Sequence, residues 1–254
     1  MQHSRSASAH AVAVLAFPEL VPWQESRPES SRPARSEPLM RAFAANPEPR
    51  TGRLRASILS FMNMHHYGDL LVNFMRARKR TFIDRLNWSL PESEGMEFDQ
   101  YDTPLCRWLV IHEFGEVLGG IRLTPTTARC GVYSYMLRDA QKGILQEIPT
   151  DVLFFDAPVS HWIWEASRLF ILDDVPAHRR LHVQMLLMET LTKSAAELGA
   201  KQVIGIVPVV WSRWLRRLDL DAVPVGPKFD IDGSVSQAAL FNSNRPIATA
   251  RFGP

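Results

Sequence analysis

Two short apolar runs with one long helical pattern between them constrain this chain more than any other feature. Residues 162–172, WIWEASRLFIL, read as a strand. Pro176 to Gly199 then shows helical periodicity, with Leu181, Met185, Met188, Ala195 and Leu198 on one face and Gly199 where a helix C-terminus favours a left-handed residue. Lys201 to Val209 follows as a second apolar strand, stopped by Pro208. Upstream, residues 105–113 and Val117 to Leu123 flank a Phe114-Gly115 turn and read as a hairpin. Helical patterns cover Ser60 to Asn87, Ser134 to Gln141 and Ser212 to Leu218, and Ser234 to Phe241 closes with a weak strand signal. This order predicts an α/β fold, a mixed sheet with helices on both faces. At 254 residues and 46% apolar, the chain can bury such a core.

Residues 1–57 are of another kind. Seven of eighteen prolines fall between Pro18 and Pro49, interleaved with serine and arginine and without strand or helix period. We expect a disordered N-terminal tail over 1–57 and a single domain over 58–254, with Met62 or Met64 as an alternative natural start. Eight arginines against five glutamates make the tail +3 in a chain of +2. The arginines are dispersed, so no nucleic-acid partner is expected. No apolar run approaches 18 residues, so no membrane span is expected either. Cys106 and Cys130 form no framework, which points to a reducing, cytoplasmic setting.

Charges inside the apolar pattern carry the functional signal. Arg78 and Phe82 stand four apart on one helical face. Trp88 follows where the pattern ends, and Glu97, Asp99 and Asp102 come next, with Phe98 and Tyr101 between them. Glu165 and Arg168 interrupt the strand at 162–172, and Arg122 sits in GGIRLTPTT at the end of another. Charges in buried runs need partners. In order, and in spacing through the first five, Arg78, Phe82, Trp88, Asp99, Asp102, Arg122, Glu165 and Arg168 resemble the signature of the N-acyl-homoserine lactone synthases of bacterial quorum sensing, the LuxI type. The resemblance covers roughly residues 60–240. It implies a fold resembling the Gcn5-type N-acetyltransferases, with an acyl carrier held where the strands of 162–172 and 202–209 splay. The interval between Arg122 and Glu165 is about a dozen residues longer than that family leads one to expect, around 128–132 and 145–158.

The reaction so implied joins S-adenosylmethionine to an acyl thioester, then closes the lactone and expels methylthioadenosine. Such a ligand needs carboxylates near its cations, an arginine near its carboxylate, and aromatic faces for sulfonium and adenine. We expect Phe82 and Trp88 to wall that pocket. Asp99 and Asp102 hold its cationic end, directly or through Arg78 and Arg122, and Glu165 pairs with Arg168 beneath. The general base stays open between Glu97, the candidate carboxylate, and a bound water. Trp164, Leu169, Met185, Ile204 and Ile206 are expected to line the acyl pocket. Members of that family that prefer 3-oxo chains often carry a threonine in the strand matching 202–209, and this strand has none, so the resemblance disfavours a 3-oxo chain. AHRRLHV at the start of the long helix lacks the glycines with which an acetyltransferase cradles a pyrophosphate, which favours acyl carrier protein over acyl-CoA as donor. Arg179, Arg180, Arg213, Arg216 and Arg217 are its expected docking surface. No cofactor is expected, S-adenosylmethionine being a substrate. His178 and His182 stand at i and i+4, but without a third ligand no metal is expected. The alternatives are an acetyltransferase-like enzyme acting on another amine and a non-catalytic module that binds adenosylmethionine or acyl carrier.

Overall fold

A computed structural model describes residues 54–211, 215, 220, 222–231 and 233–243. The tail as far as residue 53, and Arg213, Arg216 and Arg217, lie outside the described residues. Strands β4 (Arg107–Glu113) and β5 (Glu116–Pro125) form the expected hairpin. Its two loop residues, Phe114 and Gly115, both have positive φ, 51° and 87°, as the turn that matches strand twist requires. β6 (Ile163–Ile171) lies antiparallel to β5, and β7 (Gln202–Pro208) lies parallel to β6. A parallel neighbour needs a long crossover, which α3 (Ala177–Glu197) supplies.

Five more strands complete the architecture, three in the same sheet and two in a ribbon. β1 (Arg55–Leu59) pairs with β4 at one edge. β9 (Ser234–Asn242) pairs with β7, and β8 (Val223–Ile231) lies outside it. The seven strands run β1-β4-β5-β6-β7-β9-β8, and a separate ribbon pairs β2 (Glu92–Ser93) with β3 (Met96–Glu97).

Register assigns the faces. Arg122 pairs with Ser167, Thr124 with Glu165, and Glu165 with Ile204, so these side chains share one face. Leu123, Ala166, Trp164 and Val203 share the other. α3 covers that second face with Val183, Leu187, Leu191 and Ala195, all buried. α1 (Leu70–Lys79) and α2 (Met136–Gln141) lie on the first. Phe74 of α1 packs so closely on Gly120 that a Cβ there would stand 2.5 Å from its ring. The sheet is therefore mixed, with helices on both faces, as expected.

One residue breaks the alternation. Arg168 has φ 55°, a left-handed conformation that costs a bulky residue about 1–3 kcal/mol. Beyond it Phe170 joins Phe74 and Phe82 on the first face, with ring centroids at 5.5 and 5.9 Å. The parallel pairing of β6 and β7 ends just before, at Ala166 and Gly205. A Cβ on Gly205 would lie 2.5 Å from the Ala166 carbonyl, so glycine permits this last close approach. Past it the two strands are no longer paired.

Some expectations need correction. β1 begins at Arg55, inside the stretch assigned to the tail, and a start at Met62 or Met64 would remove it. Gly68, at φ 54°, separates a short 3-10 turn (Met64–Tyr67) from α1, so Ser60 to Asn87 is not one helix. After α1 the chain widens into a π-helical turn, Arg80–Arg85. β8 gave no legible signal, because Pro224 and Pro227 interrupt it, and its register slips between Pro224 and Lys228. The extra segment at 145–158 inserts Val152 and Leu153 beneath the sheet with Tyr135, Leu137, Ile204, Val225 and Ala238. The Phe154 amide donates to the Val225 carbonyl at 2.9 Å.

Candidate active site

Six charged side chains from five parts of the chain meet on the first face. Arg78 comes from the last turn of α1, Glu97 from β3, Asp99 and Asp102 from the turn after it, Arg122 from β5 and Arg168 from the bulge in β6. They close a ring of alternating sign. Glu97 accepts from Arg78 Nε at 2.5 Å, and Arg78 grips Asp102 with both terminal nitrogens at 2.7 and 3.0 Å. Asp102 lies 3.1 Å from Arg122 Nη1, and Arg122 grips Asp99 at 2.5 and 3.2 Å. Asp99 accepts from Arg168 Nη2 at 2.9 Å, and Arg168 Nε returns to Glu97 at 3.2 Å. Three guanidinium groups and three carboxylates cancel. Arg78, Arg122 and Glu97 are fully buried, and Arg168 is the most exposed member, its side chain 9% accessible.

The electrostatics follow from this closure. Burial alone would raise the Asp99 and Asp102 carboxyls. The fields of Arg122 and Arg168 on Asp99, and of Arg122 and Arg78 on Asp102, outweigh it and hold both below the usual carboxylate range. Burial would likewise lower Arg78 and Arg122, and the facing aspartates raise them instead. Partners outside the ring fix it further. Trp108 Nε1 donates to Asp102 at 2.9 Å, and Arg122 Nε donates to Ser167 Oγ at 3.1 Å. Trp108 and Ser167 escaped sequence reasoning. Strand register sets each directly opposite Arg122, Trp108 across the β4–β5 hairpin and Ser167 across the β5–β6 pair, and only the hairpin was legible in the sequence.

Aromatics flank the ring. Phe82 stacks on Trp88 with centroids 5.1 Å apart and planes at 26°, and the Arg168 guanidinium lies 5.6 Å from the Phe82 centroid. Trp88 stays half-buried. The pairing of β6 with β7 ends two residues before Arg168.

Glu165 does not pair with Arg168. Its two oxygens accept the amides of Leu137 at 2.7 Å and Met136 at 3.0 Å, the first turn of α2. The bulge meanwhile carries Arg168 to Glu97 and Asp99. Burial pushes the Glu165 carboxyl up to about 7, against the lowering pull of those two amides and of Arg122. Glu97, the candidate base, has one arginine on each oxygen.

The expected acyl lining also divides. Trp164, Leu169 and Met185 pack with the α3 side, while Ile204 and Ile206 pack with the cluster under α2. Strand alternation explains this, because Trp164 is paired with Val203 and Glu165 with Ile204. Arg179 is bound to Glu113 at 3.0–3.1 Å, and Arg180 donates to the carbonyls of Leu172, Asp173 and Val175. Among the described residues no three His, Cys, Asp or Glu side chains cluster as metal ligands, and no helix is long and apolar enough to cross a membrane.

Comparison with known proteins bears on this geometry. The family model described as autoinducer synthase matches residues 62–228, more than half of the chain. An acyl-homoserine-lactone synthase of Ralstonia solanacearum is 30% identical over 194 residues, covering 70% of this chain and 88% of its own. An isovaleryl-homoserine lactone synthase of Bradyrhizobium diazoefficiens is 26% identical over 189 residues, covering 74% and 79%. Among solved structures, the CoA-dependent acyl-homoserine lactone synthase BjaI, with SAM and isopentyl-CoA, superposes with a TM-score of 0.61 at 25% identity, covering 76% of this chain and 85% of its own. The acyl-homoserine lactone synthase LasI shares the fold, with a TM-score of 0.65 at 23% identity, over 80% and 96%. The ring residues Arg78 to Arg168 all fall inside the matched segment, and the chain belongs to the autoinducer synthase family, the LuxI-type acyl-homoserine-lactone synthases.

Proposed function

We propose that this synthase uses S-adenosylmethionine as acyl acceptor and prefers an acyl carrier protein thioester as donor. The closed charge ring carries this reading. It forms a neutral floor beside the Phe82–Trp88 stack, next to the place where β6 and β7 cease to pair. Trp88 receives the sulfonium and adenine, and Arg168, at the edge of the ring, meets the methionyl carboxylate. The thioester enters between β6 and β7 on the α3 side, over Ala166 and Gly205, and Leu169 and Met185 line its acyl chain. Ile204 and Ile206 then belong to the structural core rather than to that pocket.

The acceptor amine, once neutral, attacks the acyl carbon. An N–C bond forms, the C–S bond breaks, and the proton leaving nitrogen ends on the departing thiolate. Glu165, with its raised carboxyl, suits that shuttle better than Glu97, whose two oxygens are each taken by an arginine. In the second step a carboxylate oxygen attacks the γ-carbon, and the bonding pair returns to the sulfonium. Negative and positive charge cancel, so this step needs no base. Neither step needs a metal or a cofactor.

The preference for acyl carrier protein rests on the glycine-free start of α3 and on the basic run at Arg213, Arg216 and Arg217. A coenzyme A thioester is the second reading, favoured by the likeness to CoA-dependent BjaI. Rates of methylthioadenosine release with one acyl group on either carrier separate the two. The proposal expects a higher kcat/KM with acyl carrier protein, and a Trp88→Ala variant with a raised KM for S-adenosylmethionine. A preference for coenzyme A defeats the donor assignment, and no release with either carrier defeats the whole reading.

A further inference from the structure

Glu165 is held by a helix too short to hold itself. A helix under about 12 residues is marginal on its own, and α2 has six. Its first turn nevertheless supplies both amides that Glu165 accepts, Leu137 at 2.7 Å and Met136 at 3.0 Å. The segment at 155–158 is bonded to both ends of this helix. Gln141, the last residue of α2, donates from Nε2 to the Phe155 carbonyl at 2.9 Å and accepts the Ala157 amide on Oε1 at 2.7 Å. Tyr135, just before the first turn, donates its hydroxyl to the Pro158 carbonyl at 2.6 Å. The sheet pins this strap on either side. Upstream, the Phe154 amide donates to the Val225 carbonyl at 2.9 Å, and Val152 is buried with Ile204 and Ala238. A Cβ on Gly226 would collide with the Val152 carbonyl, so β8 receives the strap where it has no side chain. Downstream, the Thr126 hydroxyl, just past β5, accepts the Ser160 amide at 3.1 Å.

We propose that Gln141 is a positioning residue for Glu165: by tying the C-terminal end of α2 to Phe155 and Ala157, it keeps the Leu137 and Met136 amides on the carboxylate and so stabilises the charged form. Its amide group engages the strap with donor and acceptor together, which fixes direction as well as distance. Gln141 stands about 6 Å along the helix axis from Leu137, and its own bonds go to the strap rather than to the carboxyl or the charge ring. The other groups facing Glu165 are Arg122 and Thr124 from β5, Asp139 from α2, Tyr135 before it, Tyr101 after β3 and apolar Ile204 from β7. Loosening α2 leaves Arg122 in its ring and Ile204 in the sheet, but withdraws both amides. Asp139, whose charge raises the carboxyl, moves with the helix, yet it counts for less than either amide. The net change therefore disfavours the charged form. The catalytic use of this arrangement rests on Glu165 being the proton shuttle proposed above; the arrangement itself does not.

The test is read first without substrates. In the isotope-labelled full chain, the nuclear magnetic resonances of the Leu137 and Met136 amides report the ionisation of the carboxylate they donate to, and their hydrogen exchange reports how firmly they are held. In the wild type both should titrate with a midpoint of about 7. Gln141→Met keeps the length of the side chain and loses both bonds to the strap. It should move the midpoint about one pH unit upward, the effect of weakening one hydrogen bond to a charged group, and speed exchange at both amides about tenfold. Val183→Ala opens a cavity on the other face of the sheet, costs stability there, and should leave the midpoint where it was. A midpoint unmoved in Gln141→Met, or moved as far in Val183→Ala, overturns the proposal. With substrates, the acid limb of kcat/KM should follow the midpoint in Gln141→Met. A midpoint that moves while that limb stays put supports Gln141 as a positioning residue and defeats the shuttle reading instead.

Discussion

Replacing Asp102 with asparagine removes one charge from a ring that has no spare. Its carboxylate accepts both terminal nitrogens of Arg78, the Trp108 indole and the Asp99 amide, and lies 3.1 Å from Arg122. Asparagine keeps the shape but turns a donor towards a guanidinium, and it leaves Arg78 and Arg122 sharing two carboxylates with Arg168. Breaking a buried ion pair on one side costs about 3–5 kcal/mol, because the surviving charge cannot reach water. For a domain of this size that is a fall of roughly 6–20 °C in Tm. Asp174→Asn is the control: its bridge to Arg80 at 2.9 Å is exposed on both sides, and its removal should leave the unfolding midpoint where it was. Urea unfolding followed by tryptophan fluorescence measures both variants. A loss under about 1 kcal/mol in Asp102→Asn would mean that water already screens the ring, and the argument from closure would be wrong.

Stability should also fall in acid. Asp99 and Asp102 are held below their unfolded values, so the unfolded chain takes up protons first, and their contribution disappears as pH drops below about 4. Glu165 acts in the opposite sense: with its carboxyl raised to about 7, its contribution fades as pH climbs from about 4.5 towards 7. In the lactone assay this group should give kcat/KM an acid limb near pH 7, and Glu165→Gln should abolish the limb together with most of the rate. Deleting residues 1–53 should change neither Tm nor turnover, whereas deletion through Leu59 removes β1 and should abolish cooperative unfolding. Turnover should survive excess EDTA, and an activity restored by added zinc would contradict the mechanism.

The eight residues that resemble the family signature were legible because their order survives insertions elsewhere. Their partners were not. Nothing local says that Arg168 leaves the alternation of β6, and that single left-handed residue decides that it bonds Glu97 and Asp99 rather than Glu165. Glu97 looked like a free carboxylate in an acidic turn, and its place in the ring depends on contacts 19 and 71 residues away. The long apolar strands and α3 announced themselves through period, whereas β1 lay hidden among arginines and β8 among prolines. Which side of β7 turns towards α3 was not legible either, so the residues expected to line the acyl pocket divide between the two faces.

The central claim is tested most directly by the stoichiometry of a single reaction mixture. Purified protein, S-adenosylmethionine and an acyl carrier protein thioester are combined, and methylthioadenosine, free carrier thiol and acyl-homoserine lactone are quantified by liquid chromatography and mass spectrometry. The account predicts the three products in equal amounts, with no acylated adenosylmethionine accumulating. Thiol released with an amide product but without methylthioadenosine would contradict it.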